Sequence, residues 1–460
     1  MRLLEILIPI LLALYLLFPH PRPLVIRLAP ELGLIMIILH FYVEGYRWQM
    51  IPLYLLTTLL AMSSLLKITN TLDWSVAASY STVLPLLLST AVPILLPVPK
   101  IPAPSGPLSI GTVIYEFIDP FRKELYSGKD ETRRFMIQAW YPAEISAGDE
   151  PAAWMPNADV YAPAISTYLG LPSFFLDHLA LVSIPAYKDA QVARTVEGYP
   201  VIIFSHGWNG FNAQNSGQAL DLASHGFVVI AVQHTYGAVI TVFPDGTVAP
   251  NNPKALPEDA EDPNYENVAR KLVNQWAEDI AITLDQFDEL NRDSDSIFYK
   301  TLDLQHVGVY GHSTGGGAAV QFCGTDPRCD ALLGMDPFMR PVSAEVINSG
   351  VSQLSFFMFS QGWADLVDSR NNKLFNQFYP NVPNSLGAIS INGTKHFDFS
   401  DLPLLSPIAA QLGLKGTLNG KRVIEIVNTY LLDFFEMTLN NKPSALFDGS
   451  FDDFSEVNVR

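Results

Sequence analysis

The pentapeptide Gly311-His312-Ser313-Thr314-Gly315 constrains what this chain can fold into more than any other stretch. Its pattern is G-x-S-x-G. The run Gln305–Tyr310 before it reads as a buried strand, and Gly316-Gly317-Ala318-Ala319-Val320 after it opens a helix. Strand, sharp turn and helix together make a nucleophile elbow. The turn forces the serine backbone into a strained conformation, and only glycine leaves room for the neighbouring chain. The strain lifts the hydroxyl clear of the sheet, so Ser313 is the expected nucleophile.

The surrounding pattern agrees with that context. Strands are expected over Phe135–Tyr141, Val201–Phe204, Phe227–Val232, His306–Tyr310, Ala331–Met335, Leu354–Phe359 and Ala388–Ile391. Helices are expected over Gln214–His225, Tyr265–Leu290, Gly315–Phe322, Asn371–Phe378 and Lys421–Asn440. Alternation of this kind predicts a mostly parallel sheet with helices on both faces, an α/β-hydrolase fold with its site at the carboxyl ends of the strands.

The first hundred residues are different. Of the 460 residues 49% are hydrophobic and only 16% charged, and the apolar excess sits at the front. Leu3–Phe18, Leu24–Val43, Met50–Leu66 and Ser75–Val98 are four apolar runs. About 20 apolar residues cross a bilayer. The expectation is a bundle of about four transmembrane helices over 1–99 and an integral, multi-pass protein. A cleaved signal peptide is the rival reading of the first run, but Pro19-His20-Pro21-Arg22-Pro23 lacks a small-x-small cleavage site. Basic residues are balanced between the two sides, so they do not orient the bundle. The Pro-rich segment 100–107 is the expected linker and 108–460 the expected catalytic domain, with a lid or packing element over 162–187 and a surface loop over Phe243–Asn264.

The first 100 residues hold six Lys/Arg and four Asp/Glu, which leaves 22 basic and 42 acidic groups, net −20, to the rest. So acidic a surface argues against nucleic acid as a partner. Cys323 and Cys329 flank a turn and are expected as reduced core thiols. Asn392-Gly393-Thr394 matches a glycosylation sequon and is read as chance.

A serine hydroxyl needs a histidine base, and the histidine needs an acid to hold its tautomer. In this fold the chain order is Ser, acid, His. Of nine histidines only His396 follows Ser313. Two acids compete, Asp336 at the end of one strand and Asp365 after the next, with Asp368 a weaker third. The oxyanion donors are expected to be the backbone N–H groups of Trp208, after the strand Tyr199–Ser205, and of Thr314. His206 is expected to brace that turn. No metal and no cofactor is expected.

Several segments carry a family likeness. Phe204-Ser205-His206-Gly207, Leu222–Val229, Gly311–Gly316, Gln138–Ala143 and Met335-Asp336-Pro337-Phe338-Met339-Arg340-Pro341 resemble the platelet-activating-factor acetylhydrolases of the plasma and intracellular type II group. The likeness covers roughly 106–440 and is nearest to bacterial members with an N-terminal membrane region. It implies Ser313, Asp336 and His396 as the triad, Asp336 rather than Asp365 as the acid, and phospholipids with a short or oxidised acyl chain as substrates. A general carboxylesterase or lipase, or a membrane-anchored sensor or scaffold without turnover, are the alternatives. Trp208 and Phe397 depart from the family pattern.

Overall fold

The computed structural model describes residues 1–19, 21–66, 76–448 and 454–460. His20 and Ser75, which fall in the segments read above, lie outside the described residues. The chain divides into two units. One comprises Met1–Pro99 with Asp177–Val182 and Leu405–Ile408; the other comprises Lys100–Leu176, Ser183–Leu404 and Ala409–Arg460.

The first unit is helical. Its helices are Leu3–Leu17, Leu24–Arg27, Ala29–Val43, Ile51–Leu65 and Val76–Leu95, with a 3-10 turn at Trp48–Met50. One stretch among the described residues, Trp48–Leu65, is long and apolar enough to cross a membrane; Leu3–Leu17 and Ala29–Val43 are shorter. A 15-residue helix rises roughly 22 Å at 1.5 Å per residue, against a hydrocarbon core of about 30 Å. The second expected run is broken at Leu28, because Pro30 starts a new helix rather than continuing the old one. Glu5, the lone charge of the first run, is buried, and Arg47 grips both its oxygens at 2.7 Å. Such a two-pronged pair satisfies a carboxylate that apolar surroundings would otherwise penalise.

The second unit is built on a twelve-stranded mixed sheet. Its strands, with those of a separate hairpin, are β1 (Ile110–Lys123), β2 (Thr132–Glu144), β3 (Pro151–Ala153), β4 (Ser183–Lys188), β5 (Gln191–Val192), β6 (Tyr199–Ser205), β7 (Val228–Gln233), β8 (Ile240–Val242), β9 (Val248–Pro250), β10 (Leu302–His312), β11 (Ala331–Met335), β12 (Leu354–Ser360), β13 (Ser385–Ile391) and β14 (Val457–Val459). The order is β14-β13-β12-β11-β10-β6-β7-β2-β1-β4-β3, with β5 on β2, while β8 and β9 form the hairpin. From β7 to β13 all neighbours are parallel; β2 and β14 join that block antiparallel. The seven expected strands are all present. The strands β1, β3, β4 and β5 at one end of the sheet, β14 at the other, and the hairpin β8–β9 were not anticipated. Segment 162–187 ends inside the sheet as β4, after the helix Ala158–Tyr168 and the 3-10 segment Ser173–Leu181, and the expected 243–264 loop is not wholly irregular: it holds the hairpin's turn, its strand β9 and a 3-10 turn at Pro253–Ala255.

Alternation along β10 shows how the sheet is clothed. Val307 and Val309 join a core with Trp276 and Phe287 of the helix Tyr265–Arg292. Gly308 and Tyr310 face the opposite way, where Phe435 of the helix Gly420–Asn440 sits 6.0 Å from the Tyr310 ring. Successive strand residues point to opposite faces, so apolar residues at both parities require helices on both. From β6 the chain runs to β7 on one side and later to β10 on the other. This reversal opens a crevice at the carboxyl ends of β6 and β10. Cys323 and Cys329 are not free thiols: the turn after the helix Thr314–Thr325 folds back and they form a disulfide, Cα–Cα 5.2 Å.

Candidate active site

Ser313 follows β10 at that crevice. Its φ is 56° and ψ −120°, a conformation that a non-glycine residue rarely adopts. The surroundings hold it there. Its N–H donates to the Met335 carbonyl at 3.0 Å, and its own carbonyl accepts from Gly317 at 3.1 Å and Phe338 at 2.9 Å. The motif glycines are required by close approach. A Cβ at Gly315 would lie 2.1 Å from the Ser205 carbonyl oxygen, and one at Gly311 would lie 2.3 Å from that of Gly315. The end of β6 therefore packs directly on the start of the helix. Thr314 is the buried first residue of that helix.

Asp336 follows β11 and is fully buried. Its φ of 44° is again left-handed. The carboxylate accepts the Ser360 N–H at 2.8 Å and the Ser360 hydroxyl at 2.6 Å, both from the end of the adjacent β12. Its Oδ2 is also 2.9 Å from His396 Nδ1. His396 starts a 3-10 turn after β13. Trp363 stacks on its ring at 4.4 Å, and the His312 ring lies 4.4 Å away. His312 Nε2 donates to the His396 carbonyl at 3.0 Å.

Asp336, not Asp365, is thus the carboxylate bonded to His396. Asp365 is exposed at the end of the short helix Gln361–Ala364, and Asp368 lies 3.6 Å from Lys373. The polar atoms of His312, Asp336 and His396 lie within 4.8 Å of one another. A metal there would have to displace bonds already made, since His312 Nε2 is spent on a carbonyl and His396 Nδ1 on Asp336.

Burial acts on both members of the pair by penalising charge. It raises the Asp336 carboxyl, to about 7, with the Ser360 bonds and His312 pulling the other way. It lowers the His396 imidazole, to about 4. The His396 side chain is 26% exposed, which tempers the second shift, and its direction toward the neutral ring is the part the geometry supports.

The turn after β6 lies against Ser313. A Cβ at Gly207 would be 3.2 Å from Ser313 Cβ. Trp208 follows, half-buried, its side chain packed on the main core of the second unit. Three participants were not foreseen from the sequence: Ser360, His312 and Trp363. His312 occupies the variable position of the motif, which was a signal. Ser360 and Trp363 had none, since only the lateral placement of β12 beside β11 brings them to the acid and the imidazole.

A family model described as platelet-activating factor acetylhydrolase, isoform II, matches residues 96–450. The chain is 28% identical over 379 residues to a platelet-activating factor acetylhydrolase of Cavia porcellus, covering 78% of this chain and 80% of the relative. It is 23% identical over 391 residues to a probable 1-alkyl-2-acetylglycerophosphocholine esterase of Arthroderma benhamiae, covering 78% and 92%. The solved ferulic acid esterase from Streptomyces cinnamoneus superposes with a TM-score of 0.63 at 23% identity, over 79% of this chain and 99% of that one, a likeness of fold.

Proposed function

We propose, from the premise that the chain belongs to the platelet-activating factor acetylhydrolase isoform II family, that Ser313, His396 and Asp336 form its catalytic triad on an α/β-hydrolase fold. The protein is a serine ester hydrolase acting on lipid-like esters. His396 Nε2 takes the Ser313 proton as Oγ attacks the ester carbonyl. The oxyanion is held by the N–H groups of Trp208 and Thr314, and such donors contribute about 2.7–4 kcal/mol each. The alcohol leaves with the proton from His396, and water then hydrolyses the acyl-enzyme. Asp336 holds the imidazole with Nδ1–H toward itself, which leaves Nε2 free to act as base. The observation that carries this reading is the 2.9 Å bond from His396 Nδ1 to a buried carboxylate, one strand from a serine at φ 56°.

Phospholipids with a short or oxidised acyl chain are the proposed substrates. Hydrolysis measured in detergent, against esters of rising acyl length with and without a phosphocholine head, should favour the acetyl phosphocholine ester. Equal rates without the head group would point to a general carboxylesterase.

The acid limb of kcat/KM has a sign fixed by the same pair. Both groups gain protons as pH falls, and a protonated His396 cannot act as base. Activity should be full above about pH 7 and lost below about pH 4, with an apparent value belonging to the pair. A limb centred above about pH 8 would contradict the assignment.

The apolar helices of 1–99 are proposed as an integral, multi-pass anchor joined through the linker 100–107 to the catalytic domain 108–460. Leu3, Leu14, Tyr42, Leu59, Leu65 and Leu87 are exposed on them, an apolar surface of the kind that faces lipid. The full-length chain should stay in the membrane pellet after alkaline carbonate washing. Release into the supernatant would refute integral anchoring.

A further inference from the structure

Beside the proposed triad lies a second Ser-His-Asp arrangement. Ser205 Oγ is 2.9 Å from His234 Nε2, and His234 Nδ1 is 2.9 Å from Asp279 Oδ2. All three side chains are completely buried, and the His234 ring stacks on Trp276 at 4.2 Å. Sealed from solvent, the arrangement has no route for an ester. It has another consequence, at the turn that follows Ser205.

The bonds fix every proton in the chain. Arg133 donates to both oxygens of Asp279 at 2.5 and 3.1 Å, and Arg122 adds a third bond at 2.8 Å. Burial alone would raise the Asp279 carboxyl, but Arg133 and the His234 bond outweigh it and hold it well below the usual carboxylate range. Asp279 is therefore an acceptor, so His234 carries its proton on Nδ1 and accepts the Ser205 hydroxyl at Nε2. The backbone N–H of His234 donates to His206 Nε2 at 3.1 Å. His206 must then carry its proton on Nδ1, and it donates this to the Gly207 carbonyl at 2.7 Å. Gly210 N–H donates to the same carbonyl at 2.9 Å.

A trans peptide points its C=O and N–H in opposite directions. Two donors that pin the Gly207 carbonyl therefore also aim the N–H of Trp208. Gly207 packs against Ser313, so this peptide plane decides whether a donor faces the developing oxyanion. We propose that the buried chain Asp279–His234–Ser205, acting through His206, is a positioning device that sets the Gly207–Trp208 peptide for transition-state binding. This rests on the reading of Ser313 as nucleophile. His206, His234 and Ser205 are positioning residues, since none touches the reacting atoms.

The test uses full-length protein in detergent and compares His206→Phe and Ser205→Ala with wild type. Three quantities are read: the kcat and KM split, inhibition by an alkyl trifluoromethyl ketone that forms a tetrahedral adduct, and inhibition by a non-hydrolysable diether phosphocholine. His206→Phe should lower kcat about 10²-fold and weaken the ketone by the same factor, with KM and diether inhibition within about twofold. Ser205→Ala, one bond further away and barely altering volume, should give a smaller loss of the same shape, about tenfold, so a misfolded His206→Phe does not rescue the idea. Unchanged ketone inhibition in both variants, or a loss confined to KM, overturns the proposal. Residual hydrolysis in Ser313→Ala that Ser205→Ala removes would make Ser205 a nucleophile and overturns it too. Wild type that a fluorophosphonate labels at Ser313 while the variants behave like wild type sinks the positioning role alone. Wild type that is never labelled sinks the triad, and this proposal with it.

Discussion

Replacing Ser313 by alanine is expected to reduce kcat by about 10⁶-fold, the scale seen when a triad nucleophile is removed from a serine hydrolase. The loss should be chemical rather than structural. Alanine and serine have the same backbone requirement at φ 56°, and the bonds from Met335, Gly317 and Phe338 use only the main chain of residue 313. Folding and substrate binding should therefore survive, with KM close to wild type and the same unfolding midpoint. A fluorophosphonate should label the wild-type protein at Ser313 and leave the variant unlabelled. Retention of more than about a hundredth of the wild-type rate would remove Ser313 as nucleophile, since oxyanion donors and binding alone leave far less.

The second large effect concerns the acid. Asp336→Asn should lower kcat by about 10⁴-fold, whereas Asp365→Asn should change it by no more than about twofold. Asparagine keeps the shape and still accepts the Ser360 N–H. Its amide NH₂, however, faces His396 Nδ1 at a place where the carboxylate accepted a proton, 2.9 Å away. The imidazole then settles with its proton on Nε2, and in that tautomer it cannot take the Ser313 proton. Asp365 is exposed, so water screens its charge, and it is not bonded to His396. Steady-state kinetics on the two variants decide the matter, and a larger loss from Asp365→Asn would reverse the assignment.

Much of the site was legible because its parts are local. The elbow spans five residues, and its glycines are needed by contacts that any such turn makes. His396 followed from order along the chain, being the single histidine downstream of Ser313. The central strands were readable as apolar runs, since a parallel sheet buried on both faces writes both parities in hydrophobic residues. The outer strands were harder. β1 carries Glu116, Asp119, Arg122 and Lys123 among its apolar residues, β4 mixes Ser183, Pro185 and Lys188 with its apolar ones, and β14 has three residues, so none of these patterns stands out. The two cysteines were misread because a six-residue separation does not say whether the turn closes.

From its own residues the chain pointed to the proposed nucleophile and base and to a mostly parallel sheet with helices on both faces, because each is written in a short segment or in chain order. Choosing between Asp336 and Asp365 was beyond it without a family likeness. Both follow strands, and only the lateral order β10-β11-β12-β13 brings one carboxylate, the Ser360 donors and the His396 ring to one point. The buried chain from Asp279 to Gly207 was equally invisible. Its members come from a helix, the strand β6 and the turns after β6 and β7, up to 74 residues apart, and hydrogen bonds between such residues exist only after the sheet has assembled.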